Sequence, residues 1–195
     1  MGIPKRKLTK EGVEMQWAVN HLGHFYLTYL LWEKITKSSF FRIVNVSSRG
    51  HTQYLGFFHT IGLDFDNINF DKKYDRHLSY SRSKLYNVLF TRALADRIDQ
   101  TKGMVLSVNP GVVRTDIIRE LFGDGIKGKV LGVLLRIVWP VFCLFTKSRK
   151  QGASTSLFTL LSPLVKNGCY YTACKVDREN TCVTPNNWNK LWEIS

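Results

Sequence analysis

The sequence predicts an α/β fold on a doubly wound parallel sheet, with about three strands and flanking helices. Three observations predict it. Helix-type and strand-type patterns alternate along the 195 residues, the order that builds parallel sheets. The run "RIVNV" is apolar almost without a break, as a strand covered on both faces must be. Two strands end in residues that stop a strand, Ser47-Ser48 and Pro110-Gly111, and the carboxyl end of such strands is where open α/β sheets bind ligands.

The first element is "TKEGVEMQWAVNHLGHFYLTYLLWEKITKSS", a long helix entered from a Thr cap. Val13, Trp17, Leu22, Phe25 and Leu30 fall near helical spacing, so the spacing predicts a mostly buried helix. "FRIVNVSSRG" follows as a strand on its β-branched residues Ile43, Val44 and Val46. Residues 49–78, rich in Gly, Asp and Asn, read as a long loop. A helix begins near Tyr80, with Leu85, Val88, Leu89, Leu94 and Ile98 as its apolar stripe. "GMVLSVNPGVV" is the second strand, followed by a charged, glycine-bearing segment over 114–128. "KQGASTSLFTLLSPL" is another helix, "GCYYTACKV" a third strand, and "NNWNKLWEIS" a short amphipathic end.

The totals bound the function. A formal charge of +13 favours anionic partners, but the basic residues are scattered, with only short groups at "PKRKLTK" and "TKSRK". A solvated basic surface is therefore expected, with no specific nucleic acid partner. Cys143, Cys169, Cys174 and Cys182 form no Cys-x-x-Cys pair, and His21 and His24 lack a third ligand, so no metal site is expected. "MGIPKRKLTKEG" has no apolar core of a secretory signal, and with reduced thiols a cytosol-facing chain is the expectation. The apolar 129–145 stretch carries Arg136 and Pro140 and falls short of the ~20 residues of a spanning helix. It reads as a lid or an interfacial helix.

The chemistry lies in "SYSRSK". Tyr80 and Lys84 are four residues apart, hence neighbours on one helix face. A phenol with its ordinary pKa near 10 is a poor base at neutral pH, and a nearby cation favours its ionised form. Such a pair alone is common by chance. Ser48 ends one strand, "VNPGVVRT" ends the next, and Asn20 places a polar side chain within an apolar helix.

"VNHLGHFYLT", "RIVNVSSRGH", "YSRSKLYNVLF" and "NPGVVRTDI", in that order, resemble the short-chain dehydrogenase/reductase family. "NHLGHF", "SKLYNVLF", "KQGASTSLF" and "GCYYTACK" resemble its retinol dehydrogenase-like branch. The resemblance implies a Rossmann-type sheet, of which these residues are the C-terminal half. It implies a catalytic set: Tyr80 as general acid/base, Lys84 lowering its pKa and holding the nicotinamide ribose, Ser48 on the reacting carbonyl, and Asn20 holding a relay water. Pro110, Gly111 and Thr115 would then sit at the nicotinamide end of the cofactor, NADP or NAD, with a lipophilic alcohol or carbonyl such as retinol or retinal as substrate.

The family's glycine-rich pyrophosphate turn is not found in the sequence. Residues 1–195 therefore read as one partial domain lacking the first strands, and cofactor binding by them alone is in question. The alternative is a truncated, inactive form serving as an interaction or regulatory module. Membrane association, an endoplasmic reticulum location for an intact protein, and a homo-oligomer stay open at this point.

Overall fold

The computed structural model describes residues 3–54, 59–114 and 146–195; the apolar 129–145 stretch and Thr115 lie outside them. A sheet of order β1-β4-β5-β6 forms the centre. β1 (Phe41–Val46) and β4 (Gly103–Asn109) pair in parallel from Phe41 against Gly103 to Val46 against Val108. β5 (Tyr170–Thr172) pairs in parallel with the end of β4, Ser107 against Tyr170. The three expected strands are joined by a fourth, β6 (Lys175–Val176), antiparallel to β5. Its tight turn uses Ala173 and Cys174, both at positive φ (51° and 61°), the geometry that a two-residue hairpin requires.

α1 (Met15–Trp17), a π-helical turn (Ala18–Leu22) and α2 (Gly23–Thr36) make up the first helical region. Glu14 caps its start by accepting from the Trp17 amide, and Thr9 instead stabilises the turn before it. The expected burial is only half found. Trp17 and His21 are buried, but no residue of α2 is, and Tyr26, Tyr29 and Leu30 are 60%, 70% and 58% exposed. The cause is helical geometry: only the face carrying Phe25 and Trp32 packs against Phe90, Leu94 and Trp192.

The loop expected over 49–78 holds a 3-10 turn (Arg49–His51) and a small hairpin of β2 (Gln53–Tyr54) and β3 (His59–Thr60). Asp75 ends it, capping α3 (Arg76–Ala95) through the amides of His77 and Leu78. α3 is the most buried helix. Leu85, Tyr86 and Leu89 pack with Trp17, Ile61 and Leu191, whereas Phe90 and Leu94 pack with Val105 of β4. At ~25 cal/mol per Å2 of apolar surface, these side chains contribute about 1.5–3 kcal/mol each.

α4 (Arg149–Leu161) covers the other sheet face, capped by reciprocal Ser148–Gln151 bonds. Arg42 of β1 donates to the carbonyls of Thr159 and Ser162, closing its C-terminal end, where the helix dipole favours a cation. α5 (Pro185–Ile194) lies on α3 with Leu191 in the core. Among the described residues no helix is long and apolar enough to cross a membrane.

Two predictions follow from the packing. His21 is fully buried against Asn87, Ser195, Phe25, Tyr86 and Phe90, and burial lowers its pKa to about 3. The unfolded chain takes up that proton near pH 6.5. Stability is therefore full above pH 6.5 and falls as the pH drops toward 3. Urea unfolding between roughly pH 7 and pH 4.5 should show this slope, and His21→Gln should flatten it. Gly152 lies where an added Cβ would meet Val113 Cγ2 at 2.5 Å. Gly152→Ala should cost about 1–3 kcal/mol by overpacking, read as a lower Tm.

Candidate active site

The carboxyl end of the parallel pair brings the expected residues together. β1 ends at Val46, and the Ser47 amide continues the ladder by donating to Val108 O (2.8 Å). Ser48 is extended (φ −157°, ψ 153°), and its hydroxyl accepts from the Gly50 amide at 3.2 Å, starting the 3-10 turn. Both Ser48 and Tyr80 are partly buried, and their side chains flank the same Gly50 turn. An added Cβ on Gly50 would sit 3.8 Å from Tyr80 Cε1 and 3.5 Å from Ser48 Oγ, so this turn passes directly over the pair.

Lys84 stands one helical turn beyond Tyr80. Its Nζ lies 5.9 Å from the Tyr80 ring centroid and donates to Val46 O at 3.2 Å. Burial raises the Tyr80 pKa above its ordinary value, opposed by the nearby Ser48 hydroxyl. Burial also lowers the Lys84 pKa. Each effect disfavours charge, because the pair is removed from water while the ammonium is held on a backbone carbonyl.

Asn20 lies in the π-helical turn. Its Nδ2 donates to Ser83 Oγ (3.0 Å), and that hydroxyl donates to Tyr80 O (2.7 Å). Asn20 thus reaches the Tyr80–Lys84 turn through the backbone. Pro110 and Gly111 follow β4 beside this cluster. Gly111 is left-handed (φ +84°), and an added Cβ would meet the Lys147 stem at 3.2 Å, so a side chain there would be strained twice over. Lys147 pairs with the same loop: its amide donates to Val112 O, and the Arg114 amide donates to Lys147 O.

Three further residues shape the site. Ser47 Oγ donates to Lys84 O (2.7 Å), tying β1 to α3. Asn87, fully buried, donates to Val46 O (3.1 Å), the carbonyl that also holds Lys84. Its amide also faces His24 Nδ1 and His21 Nδ1 at 3.5 and 3.4 Å. His51, fully buried, contacts Ser48 O through Nδ1 at 2.6 Å and packs edge-on against Tyr170 at 4.5 Å. Ser47 was legible as a neighbouring hydroxyl. Asn87 left a trace as a polar residue inside the apolar stripe "LYNVLF", and His51 as the end of "SSRGH".

The arrangement suits an oxygen that changes charge. A phenol and a hydroxyl on one turn can both face one carbonyl oxygen, with an ammonium close behind.

No protein-family model matches the chain. Human retinol dehydrogenase 12 is 38% identical over 194 residues, 96% of this chain and 54% of that protein. Mouse retinol dehydrogenase 11 has the same identity and coverage. The chain spans about half the length of these curated relatives. Among solved structures, an uncharacterised protein from Mycobacterium paratuberculosis superposes with a TM-score of 0.68 at 23% identity, over 100% of this chain and 61% of that one. The carbonyl reductase Sniffer of Drosophila melanogaster superposes at 0.54 with 13% identity, over 92% and 63%. The NADPH-bound carbonyl reductase from chicken fatty liver superposes at 0.52 with 16% identity, over 91% and 62%. These structures are alike in fold. The sequence relatives show that the 195 residues belong to the short-chain dehydrogenase/reductase family and are similar to its retinol dehydrogenases.

Proposed function

We propose that these residues carry the proton-transfer side of an oxidoreductase acting between NADP or NAD and a lipophilic alcohol or carbonyl such as retinol or retinal. One observation carries the reading. Ser48 and Tyr80 flank one turn at the carboxyl end of a parallel strand pair, with Lys84 one helical turn away. The retinol dehydrogenase relatives support the substrate class, and the NADPH-bound carbonyl reductase supports a nicotinamide partner.

The residues fit the nicotinamide end of such a cofactor. Lys84 uses one of its three donors on Val46 O, which leaves donors for ribose hydroxyls. Pro110 and Gly111 offer a backbone wall beside the Ser48 cluster, next to Val112 at 63% exposure. Thr115 would extend that wall but lies outside the described residues. When bound, the cofactor supplies or accepts the hydride.

In this reading Ser48 donates a hydrogen bond to the substrate oxygen and orients it. Tyr80, its pKa raised by burial, is protonated at neutral pH and gives its proton to the oxygen as alkoxide charge develops. Lys84 stabilises the phenolate left behind. Asn20, linked to this turn through Ser83 and Tyr80 O, holds the water that returns a proton. A phenol that stays protonated through neutrality favours carbonyl reduction in the free protein.

The test uses a chimera in which these 195 residues follow the N-terminal half of retinol dehydrogenase 12. It should reduce retinal with NADPH or NADH, and Tyr80→Phe should lower kcat by roughly 10²–10⁴-fold. Ser48→Ala should lose roughly 10²–10³-fold as one oxyanion donor disappears. Undiminished turnover in Tyr80→Phe would refute the role assigned to the phenol. The reduction rate should stay flat through neutral pH and decline only on the alkaline side, as Tyr80 loses its proton.

A further inference from the structure

A second cleft lies away from the Ser48–Tyr80 cluster, between α2, α3 and α5. It has a volume of about 220 Å3. Phe90 and Leu94 form its floor from α3, Phe25 and Thr28 enter from α2, and Trp192 closes it from α5. Phe90 is ten residues beyond Tyr80 on the same helix, about 15 Å at 1.5 Å per residue. The cleft is therefore separate from the proposed reaction centre.

Its walls and rim differ in character. Phe25 stands edge-on to Trp192 at 5.2 Å and tilted to Phe90 at 5.3 Å, while Phe90 and Trp192 stack at 6.2 Å. Such a box accepts one more ring in edge or offset contact. Arg97 Cζ lies over Trp192, 4.5 Å from the ring centroid. It donates to Ala93 O and Asn189 Oδ1, which uses two of the five guanidinium donors. None of the ion pairs found among the described residues involves Arg97.

Size and charge define the occupant. The volume is below the roughly 300–1,000 Å3 of clefts that take drug-sized ligands, so a retinoid is too large and one ring with a short arm is not. A planar guanidinium with spare donors matches a carboxylate. We propose that this cleft is a binding site for a small aryl carboxylate, its ring among Phe25, Phe90 and Trp192 and its carboxylate on Arg97. The inference is independent of the oxidoreductase reading.

Calorimetric titration of the 195-residue protein with 3-phenylpropionate tests it, with 3-phenylpropan-1-ol as the uncharged match. The acid should saturate one site, and the alcohol should bind at least about tenfold more weakly, the worth of one charge-assisted hydrogen bond. Arg97→Met keeps an apolar stem on Trp192 and should bring the acid down to the alcohol's affinity. Arg97→Lys, which keeps the charge but not the fork, should fall between. Thr28→Phe, which fills the cleft from α2, should abolish both, and this holds even if an Arg97 variant fails to fold. Equal affinity for acid and alcohol, an acid affinity unmoved by Arg97→Met, or no saturation up to roughly 10 mM would overturn it. So would sedimentation showing a dimer that covers the cleft and takes up no phenylpropionate.

Discussion

Everything at the candidate site depends on how α3 is fastened to the end of β1. One carbonyl, Val46 O, accepts from both Lys84 Nζ and Asn87 Nδ2, and the next residue, Ser47, donates back to Lys84 O. Three hydrogen bonds across this joint fix where the strand stops and the helix passes. Ser48 and Tyr80 are each one step beyond the joint, on opposite sides of it. Their approach at the Gly50 turn is a consequence of that register rather than a separate design. Asn87 is fully buried, so leaving Val46 O or its own amide unpaired would carry the desolvation cost of about 1–3 kcal/mol per group.

The same burial that makes the joint rigid sets the charges. Tyr80 is pushed up and Lys84 down, each toward its neutral form, because neither is compensated by an opposite charge. Tyr80 therefore remains a phenol at neutral pH, beside an ammonium that donates to Val46 O.

Around this joint the fold divides into a dry interior and an apolar outer helix. α3 and β4 are buried along most of their length, whereas α2 turns Tyr26, Tyr29 and Leu30 outward. The π-helical turn at Ala18–Leu22 marks the transition and is where Asn20 leaves the apolar face to reach Ser83. π-Turns are uncommon and cluster at functional sites, which agrees with a polar side chain directed inward at this point.

The sequence by itself determined the order of elements, the parallel strands, the helix carrying Tyr80 and Lys84, and the residue types at the strand ends. These are local properties: periodicity, β-branched runs, and turn residues at fixed offsets leave a record in consecutive letters. The roles of Ser48, Asn20, Pro110 and Gly111 were implied by the resemblance of the motifs that carry them. The tertiary structure alone decided the rest. Which face of α2 is covered depends on α3 and α5, and no spacing within α2 carries that information. The direction of the Tyr80 shift depends on how much water its surroundings exclude and on Lys84 choosing a carbonyl of another element. Asn87 gained its place through Val46 O, 41 residues away, and His51 through Asn180, 129 residues away, and the Tyr170 ring, partners that only folding brings near. Burial and long-range hydrogen bonding are properties of the assembled chain, which is why they could not be read before it was folded.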